Sequence, residues 1–174
     1  MYRSRLAAGV FFVLASFGVA AGASDPPLVA VIKNEGGAPA VATLLKQGAD
    51  PNVTDAYGST ALHWAVELDN LPAVDLLLKA GANPKAVNRY TVAPLSVAAA
   101  AGNAAVTIRL LDAGADPNTV AAGGETALMA ASRSGNAEAV KALLARGADV
   151  NARESVRGQT ALMWAAAEGH AAVI

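Results

Sequence analysis

Residues able to do chemistry are sparse in this chain and fall into no constellation that catalysis requires. Only His63 and His170 supply imidazole. A zinc hydrolase needs two histidines one helical turn apart with an acid between them, yet no HExxH occurs, nor does a P-loop or a GxSxG nucleophile turn. Gly22, Gly36, Gly37, Gly123 and Gly124 lack the spacing after a strand that lets backbone N–H groups cradle a phosphate. Cysteine is absent, which excludes disulfides, thiolate metal sites and cysteine nucleophiles together. Asp50, Asp116 and Asp149 recur at one fixed interval, so they read as turn residues and not as a carboxylate pair for acid–base work. The expectation is a chain with no catalytic residue, no bound cofactor and no metal site, and hence not an enzyme in these residues.

That fixed interval organises the whole chain. A Gly-Ala-Asp or Gly-Ala-Asn step begins at Gly48, Gly81, Gly114 and Gly147, 33 residues apart each time. Leucine pairs precede it in constant register at Leu44 and Leu45, Leu77 and Leu78, Leu110 and Leu111, and Leu143 and Leu144. Such a period signals a stacked array. Residues 124–153 represent its unit. Thr126 can accept an open N–H of a helix beginning at Ala127 and so cap it. That helix carries Leu128, Ala131 and Ser132 at helical spacing, an inward face small enough for close approach by a neighbour. Gly135 and Asn136 break it. Val140, Leu143 and Leu144 then form the apolar stripe of a second helix, with Glu138, Lys141 and Arg146 toward water. Gly147 ends that helix, because glycine enters the left-handed C-cap conformation without a side-chain penalty. No unit buries its stripe alone, so neighbours must stack.

These residues resemble the ankyrin repeat, whose signatures run Gly-x-Thr-Pro-Leu-His near the start and Leu-Leu-x-x-Gly-Ala-Asp-x-Asn near the end. The first signature reads Gly58-Ser59-Thr60-Ala61-Leu62-His63, Thr91-Val92-Ala93-Pro94-Leu95-Ser96, Gly124-Glu125-Thr126-Ala127-Leu128-Met129 and Gly158-Gln159-Thr160-Ala161-Leu162-Met163. Proline at the first helical position appears only at Pro94, in the unit where Ala93 replaces the capping threonine, so the third unit should have the weakest helix start. His63 and His170 fall where the family places histidine for local hydrogen bonding. Asn52 begins an Asn-Val-Thr triplet that spells a glycosylation acceptor, but it is the turn asparagine of the repeat. The resemblance runs from about Leu28 onward. It implies an all-α solenoid of stacked helix-turn-helix units with short β-hairpin loops.

In the family, hairpin tips and first helices line a concave binding face. Carried over by position, that face takes Ala56, Tyr57, Ser59, Glu67 and Leu68, then Arg89, Tyr90 and Val92, then Glu125, Arg133 and Ser134. Tyr57, Arg89 and Tyr90 lead the set, since tyrosine and arginine are enriched among residues that dominate binding energy. The alternative for any one of them is an ordinary solvent-facing loop residue. Trp64 and Trp164 occupy matching places on first helices and read as partly buried packing residues.

Composition agrees. Hydrophobic residues make up 54% and aromatics only 5%, an excess carried largely by alanine that suits close-packed helices. With a formal charge of −1 and no basic run, nothing pulls the chain toward nucleic acid or an anionic membrane. Residues 1–23 read as a secretory signal: Arg3 and Arg5 precede an apolar run from Leu6 to about Val19, and Ala21 and Ala23 fit the cleavage pattern, placing the mature start at Ser24. An uncleaved anchor is the alternative; a lipid-bearing cysteine is excluded. Cleavage leaves no stable membrane insertion. It also leaves 11 basic residues against 14 acidic ones.

Residues 24–27 are a linker, and units follow at about 28–54, 55–87, 88–120, 121–153 and 154–174. The first has no Gly-x-Thr hairpin and reads as a terminal cap, with its second helix at residues 40–47. One residue is inserted after Glu154. The fifth unit reaches only Ala171, Ala172, Val173 and Ile174 of a second helix, which suggests a fragment of a longer protein with a bare apolar face around Leu162 and Ala166, open to self-association. The functional expectation is a protein–protein interaction module, exported to the periplasm or cell exterior, that binds another protein. The alternatives are a targeting or regulatory arm of an enzyme whose catalytic domain lies beyond residue 174, and an architectural element that stacks on itself.

Overall fold

Apolar residues three and four apart dictate where this chain coils, and small residues dictate how closely the coils approach. The computed structural model describes residues 25–174; residues 1–23, expected to be a secretory signal, and Ser24 lie outside the described residues. Helices α1 (Pro27–Lys33) and α2 (Ala38–Lys46) form the first pair, and α3 (Ala61–Glu67) and α4 (Leu71–Lys79) the second. Next come α5 (Pro94–Ala100) with α6 (Ala104–Asp112), then α7 (Ala127–Ser134) with α8 (Ala137–Ala145), and last α9 (Ala161–Ala167). First helices pack on first helices from α1 to α9, and second helices pack on second helices from α2 to α8. The resulting two-layer, all-α repeat solenoid buries Leu28, Leu62, Leu95 and Leu128 in one layer and Val41, Leu77, Leu110 and Leu143 in the other. Ala65, Ala98, Ala99 and Ala131, all fully buried, separate the first helices.

Caps follow the repeat. Thr126 Oγ1 accepts the N–H of Met129 at 3.2 Å, as Thr160 Oγ1 accepts that of Met163 at 3.4 Å. Ala93 offers no such bond, so α5 starts on Pro94 alone. Asn70, Asn103 and Asn136 cap α4, α6 and α8 through their side-chain oxygens. Asn136 therefore starts the second helix as well as ending the turn before it.

Three expectations need correction, while the hairpin loops are as short as expected. Helix α2 runs from Ala38 to Lys46 and not over 40–47, because Pro39 occupies its first turn, where a fixed φ suits the helix. The hairpin loops contain only single antiparallel bridges, Thr54 with Thr60 and Val120 with Thr126, and no strand among the described residues. Leu144 does not share the burial of Leu143: it is 42% exposed, whereas Leu111 one unit earlier is 4% exposed. Leu111 lies beneath α8, and no described second-layer helix follows α8. Residues 171–173 form a turn and not the opening of a helix. Leu162 and Ala166 on α9 are exposed.

The third hairpin departs from the pattern a second way. Thr91 has φ of 58°, a left-handed conformation that Gly58, Gly124 and Gly158 adopt at the matching place. A β-branched side chain is disfavoured there. Thr91→Gly is expected to stabilise the fold by about 0.5–1 kcal/mol, read from a urea midpoint; an unchanged midpoint would show that the hairpin holds no strain.

Candidate protein-interaction site

Three of the four loops that return from a second helix to the next first helix are folded by one acidic or amide side chain. Asp55 Oδ1 accepts the N–H groups of Tyr57 at 2.8 Å and Ser59 at 3.0 Å. Asn88 Oδ1 repeats this with Tyr90 at 2.9 Å and Val92 at 3.1 Å. In the fifth unit the loop is one residue longer, and a side chain one methylene longer spans it: Glu154 accepts from Val156, Arg157 and Gln159. Ala121 holds this place in the fourth unit without a polar side chain, and Gly123 at φ of 80° turns the loop instead. Sequence reasoning missed these anchors, although Asp55, Asn88, Ala121 and Glu154 share the 33-residue interval.

The anchors fix what the tips present. Tyr57 and Tyr90 are both 54% exposed, with ring centroids 6.4 Å apart and planes inclined by 28°. The Arg89 N–H donates to the Tyr57 carbonyl at 3.0 Å and locks the second tip to the third. The Arg89 side chain is exposed, and its aliphatic stem lies over Gly58, where an added Cβ would meet Arg89 Cγ at 3.3 Å. Tyr57, Arg89 and Tyr90 thus form one cluster.

The remaining residues of the expected face do not join it as a single surface. Ser59 is 3% exposed and its hydroxyl accepts from Asn88 Nδ2 at 3.2 Å, so it braces the hairpin from within and is no contact residue. Val92 is half-buried, and its carbonyl bonds to His63 Nε2 at 3.1 Å. Ala56 is exposed beside Tyr57. Glu67 and Leu68 are exposed at the far end of α3, roughly 10 Å along its axis from the tips. There Leu68 borders a separate shallow hollow with Glu35, Asp69 and Pro72. Glu125 and Arg133 are spent on one another at 3.1 Å, and the Arg133 guanidinium lies over the Trp164 ring at 5.0 Å. Burial pushes the Glu125 carboxyl above its usual pKa, against the pull of Arg133. Ser134 is exposed and its hydroxyl donates to the Ala131 carbonyl at 2.8 Å.

Both tryptophans and both histidines pack or brace. Lys33 Nζ sits 4.3 Å from the centroid of Trp64, the counterpart one unit apart of Arg133 on Trp164. Thr60 N–H donates to His63 Nδ1 at 3.1 Å, and because an amide can only donate, the ring proton resides on Nε2 and is given to the Val92 carbonyl. Burial depresses the His63 pKa despite the Val92 bond and the Asp55 charge, so the ring stays neutral. His170 Nε2 bonds the Arg133 carbonyl at 2.9 Å and ties the fifth unit to the fourth. Among the described residues no group of three or more His, Asp or Glu side chains is arranged to hold a metal.

Asp55 is the electrostatic centre of the site's foundation. Its side chain is fully buried, and Oδ2 receives Lys33 Nζ at 2.9 Å and the Trp64 indole N–H at 3.0 Å, while Lys33 also reaches Asp25 at 2.9 Å. Burial alone would raise the Asp55 pKa, but the Lys33 ammonium and the Ser59, Tyr57 and Trp64 N–H donors outweigh it and hold the carboxyl below its ordinary value. A carboxyl depressed in the folded state stabilises the fold above its unfolded pKa and loses that contribution as pH falls through the folded one. The contribution of Asp55 is therefore complete at neutral pH and withdrawn below about pH 4. Asp55→Asn, which keeps the loop acceptor as Asn88 does, should be less stable at neutral pH and lose less on acidification. Parallel stability curves for the two proteins would refute this role.

A family model described as ankyrin repeats in three copies matches residues 27–121 and 95–174. No curated protein matches the chain. The match spans nearly all of the described residues, and with the register, caps and hairpins above it settles the classification: the chain belongs to the ankyrin-repeat family.

Proposed function

We propose that this array is an exported protein-binding module that engages its partner through Tyr57, Arg89 and Tyr90 at the tips of the second and third hairpins. Ankyrin repeats are generally protein–protein interaction modules and their fold is a binding scaffold. The observation that carries the site is the pair of half-exposed, stacked tyrosines held by two anchored, mutually hydrogen-bonded loops. Large aromatic side chains on a rigid frame offer contact area with little entropy left to lose on binding. The exposed Arg89 side chain of the same loop adds a cation that reads carboxylates.

Replacing Tyr57 and Tyr90 together by alanine should weaken retention of the protein captured from the exported fraction by more than about tenfold, with helical content unchanged. Undiminished retention by the folded double variant would remove the tips from the binding site. Export rests on Arg3, Arg5, the apolar run and the Ala21 and Ala23 pattern. Terminal sequencing of the protein recovered outside the cytoplasm should begin at Ser24. A chain that keeps Met1 and stays in the cytoplasm would overturn it.

A further inference from the structure

Four loops connect successive helix pairs, at residues 47–60, 80–93, 113–126 and 146–160. The first two are tied together: Asn52 Nδ2 donates to the Gly81 carbonyl at 3.1 Å, the Asn83 N–H donates to Asn52 Oδ1 at 2.7 Å, and Arg89 bonds Tyr57 as described. The last two are tied the same way, Asn118 Nδ2 to the Gly147 carbonyl at 3.1 Å, Asp149 N–H to Asn118 Oδ1 at 2.8 Å, and Ser155 N–H to the Gly123 carbonyl at 2.8 Å. Between 80–93 and 113–126 no hydrogen bond crosses among the described residues. The helices beneath, α5 and α7, remain packed, so the seam is confined to the loop layer.

Two substitutions account for it. Lys85 stands where Asn52 and Asn118 stand in the other loops. An ammonium donates but cannot accept, so it cannot make the two-sided clamp that an amide makes. Ala93 stands where Thr60 and Thr126 stand, which removes a side chain from the same wall. A cleft of about 300 Å³ opens at the seam. Pro84, Val87 and Leu95 line one side, Asp116 and Val120 the other, and Lys85 stands at its rim. Val87 is 56% exposed and Val120 50%.

Charge indicates what would enter. Loop 80–93 carries Lys85 and Arg89 and no acid, whereas each of the other three loops carries acidic residues. Neither Lys85 nor Arg89 forms an ion pair among the described residues. Asp116, across the cleft, already accepts the Asn118 N–H at 2.9 Å. Apolar walls with an unpaired cation at the rim suit an aliphatic side chain next to a carboxylate, and Arg89 and Tyr90 continue the same loop to the tip.

We propose that the seam between loops 80–93 and 113–126 is a docking cleft for an extended acidic segment of a partner protein, with an aliphatic side chain between Val87 and Val120 and a carboxylate on Lys85. This rests on the reading that the neighbouring tips bind protein. The cleft exists because the clamp used on either side of it is omitted.

The test uses a displayed library of random peptides selected on the purified array. The selected peptides should be enriched in Asp or Glu beside Val, Leu or Ile, and Lys85→Asn should weaken them by about tenfold or more. The same variant should fold and raise the urea midpoint, because asparagine at this place can bond the Gly114 carbonyl and the Asp116 N–H as Asn52 and Asn118 do one unit away. Peptides without acidic enrichment, full affinity for Lys85→Asn, or no binder at all would overturn the cleft. If the Tyr57 and Tyr90 double variant loses the peptides while Lys85→Asn keeps them, the tips bind and the cleft does not; if neither variant loses them, both assignments fall.

Discussion

A two-helix unit of this array leaves part of its apolar surface bare until a neighbour covers it, and everything else in the structure follows from that dependence. The second leucine of the last two pairs shows the constraint directly. Leu111 is buried because α8 lies over it, and Leu144, at the same place in the next unit, is 42% exposed where no described helix stacks. Alanines on the first helices let one unit approach the next closely enough for the leucines to meet. Stability is therefore a property of interfaces between units, and a unit with a poor helix start is held by the units on either side. Helix α5 lacks a side-chain cap, yet Leu95, Ala98 and Ala99 within it are fully buried.

The same stacking positions the loops, and the anchors give them their form. A single side chain whose oxygens accept two or three backbone N–H groups converts a flexible return into a fixed turn. The exchange of Asp55 and Asn88 for Glu154 where the loop is longer shows that reach, and not charge, is what the place demands: an amide serves in one unit and a carboxylate in the next. Charge matters at Asp55 for another reason. It joins α1, through Lys33, to the second hairpin, and so couples the terminal pair to the foundation of Tyr57.

The fold was legible because its signal is repeated. A register of glycines and leucines at one interval averages over local exceptions, so helix order, the Thr126 cap and the weak start at Ala93 could all be read from it. Position within a unit was legible too, and the proximity of Tyr57, Arg89 and Tyr90 follows from adjacent hairpins. What position could not supply was the direction of each side chain. Ser59 occupies a face position but turns inward to Asn88, and Arg133 pairs with Glu125 and lies over the Trp164 ring. Those outcomes depend on which neighbour each side chain meets, within the unit for Glu125 with Arg133 and in the next unit for Ser59 with Asn88 and Arg133 with Trp164, and position in a repeat does not supply that. The anchors escaped notice because Asp, Asn, Ala and Glu look unrelated until their common interval is seen.

Three departures from the repeat fall in one loop. Lys85 abandons the asparagine clamp, Thr91 sits in a backbone region its neighbours reserve for glycine, and Ala93 gives up the helix cap, all within nine residues that also carry Arg89 and Tyr90. Each departure is locally unfavourable, and each sits in a middle unit where packing from both sides restrains the backbone. Local rules are most often broken where a site serves something other than folding. In this array the uniform units supply rigidity, and the loop between α4 and α5 is where uniformity has been given up.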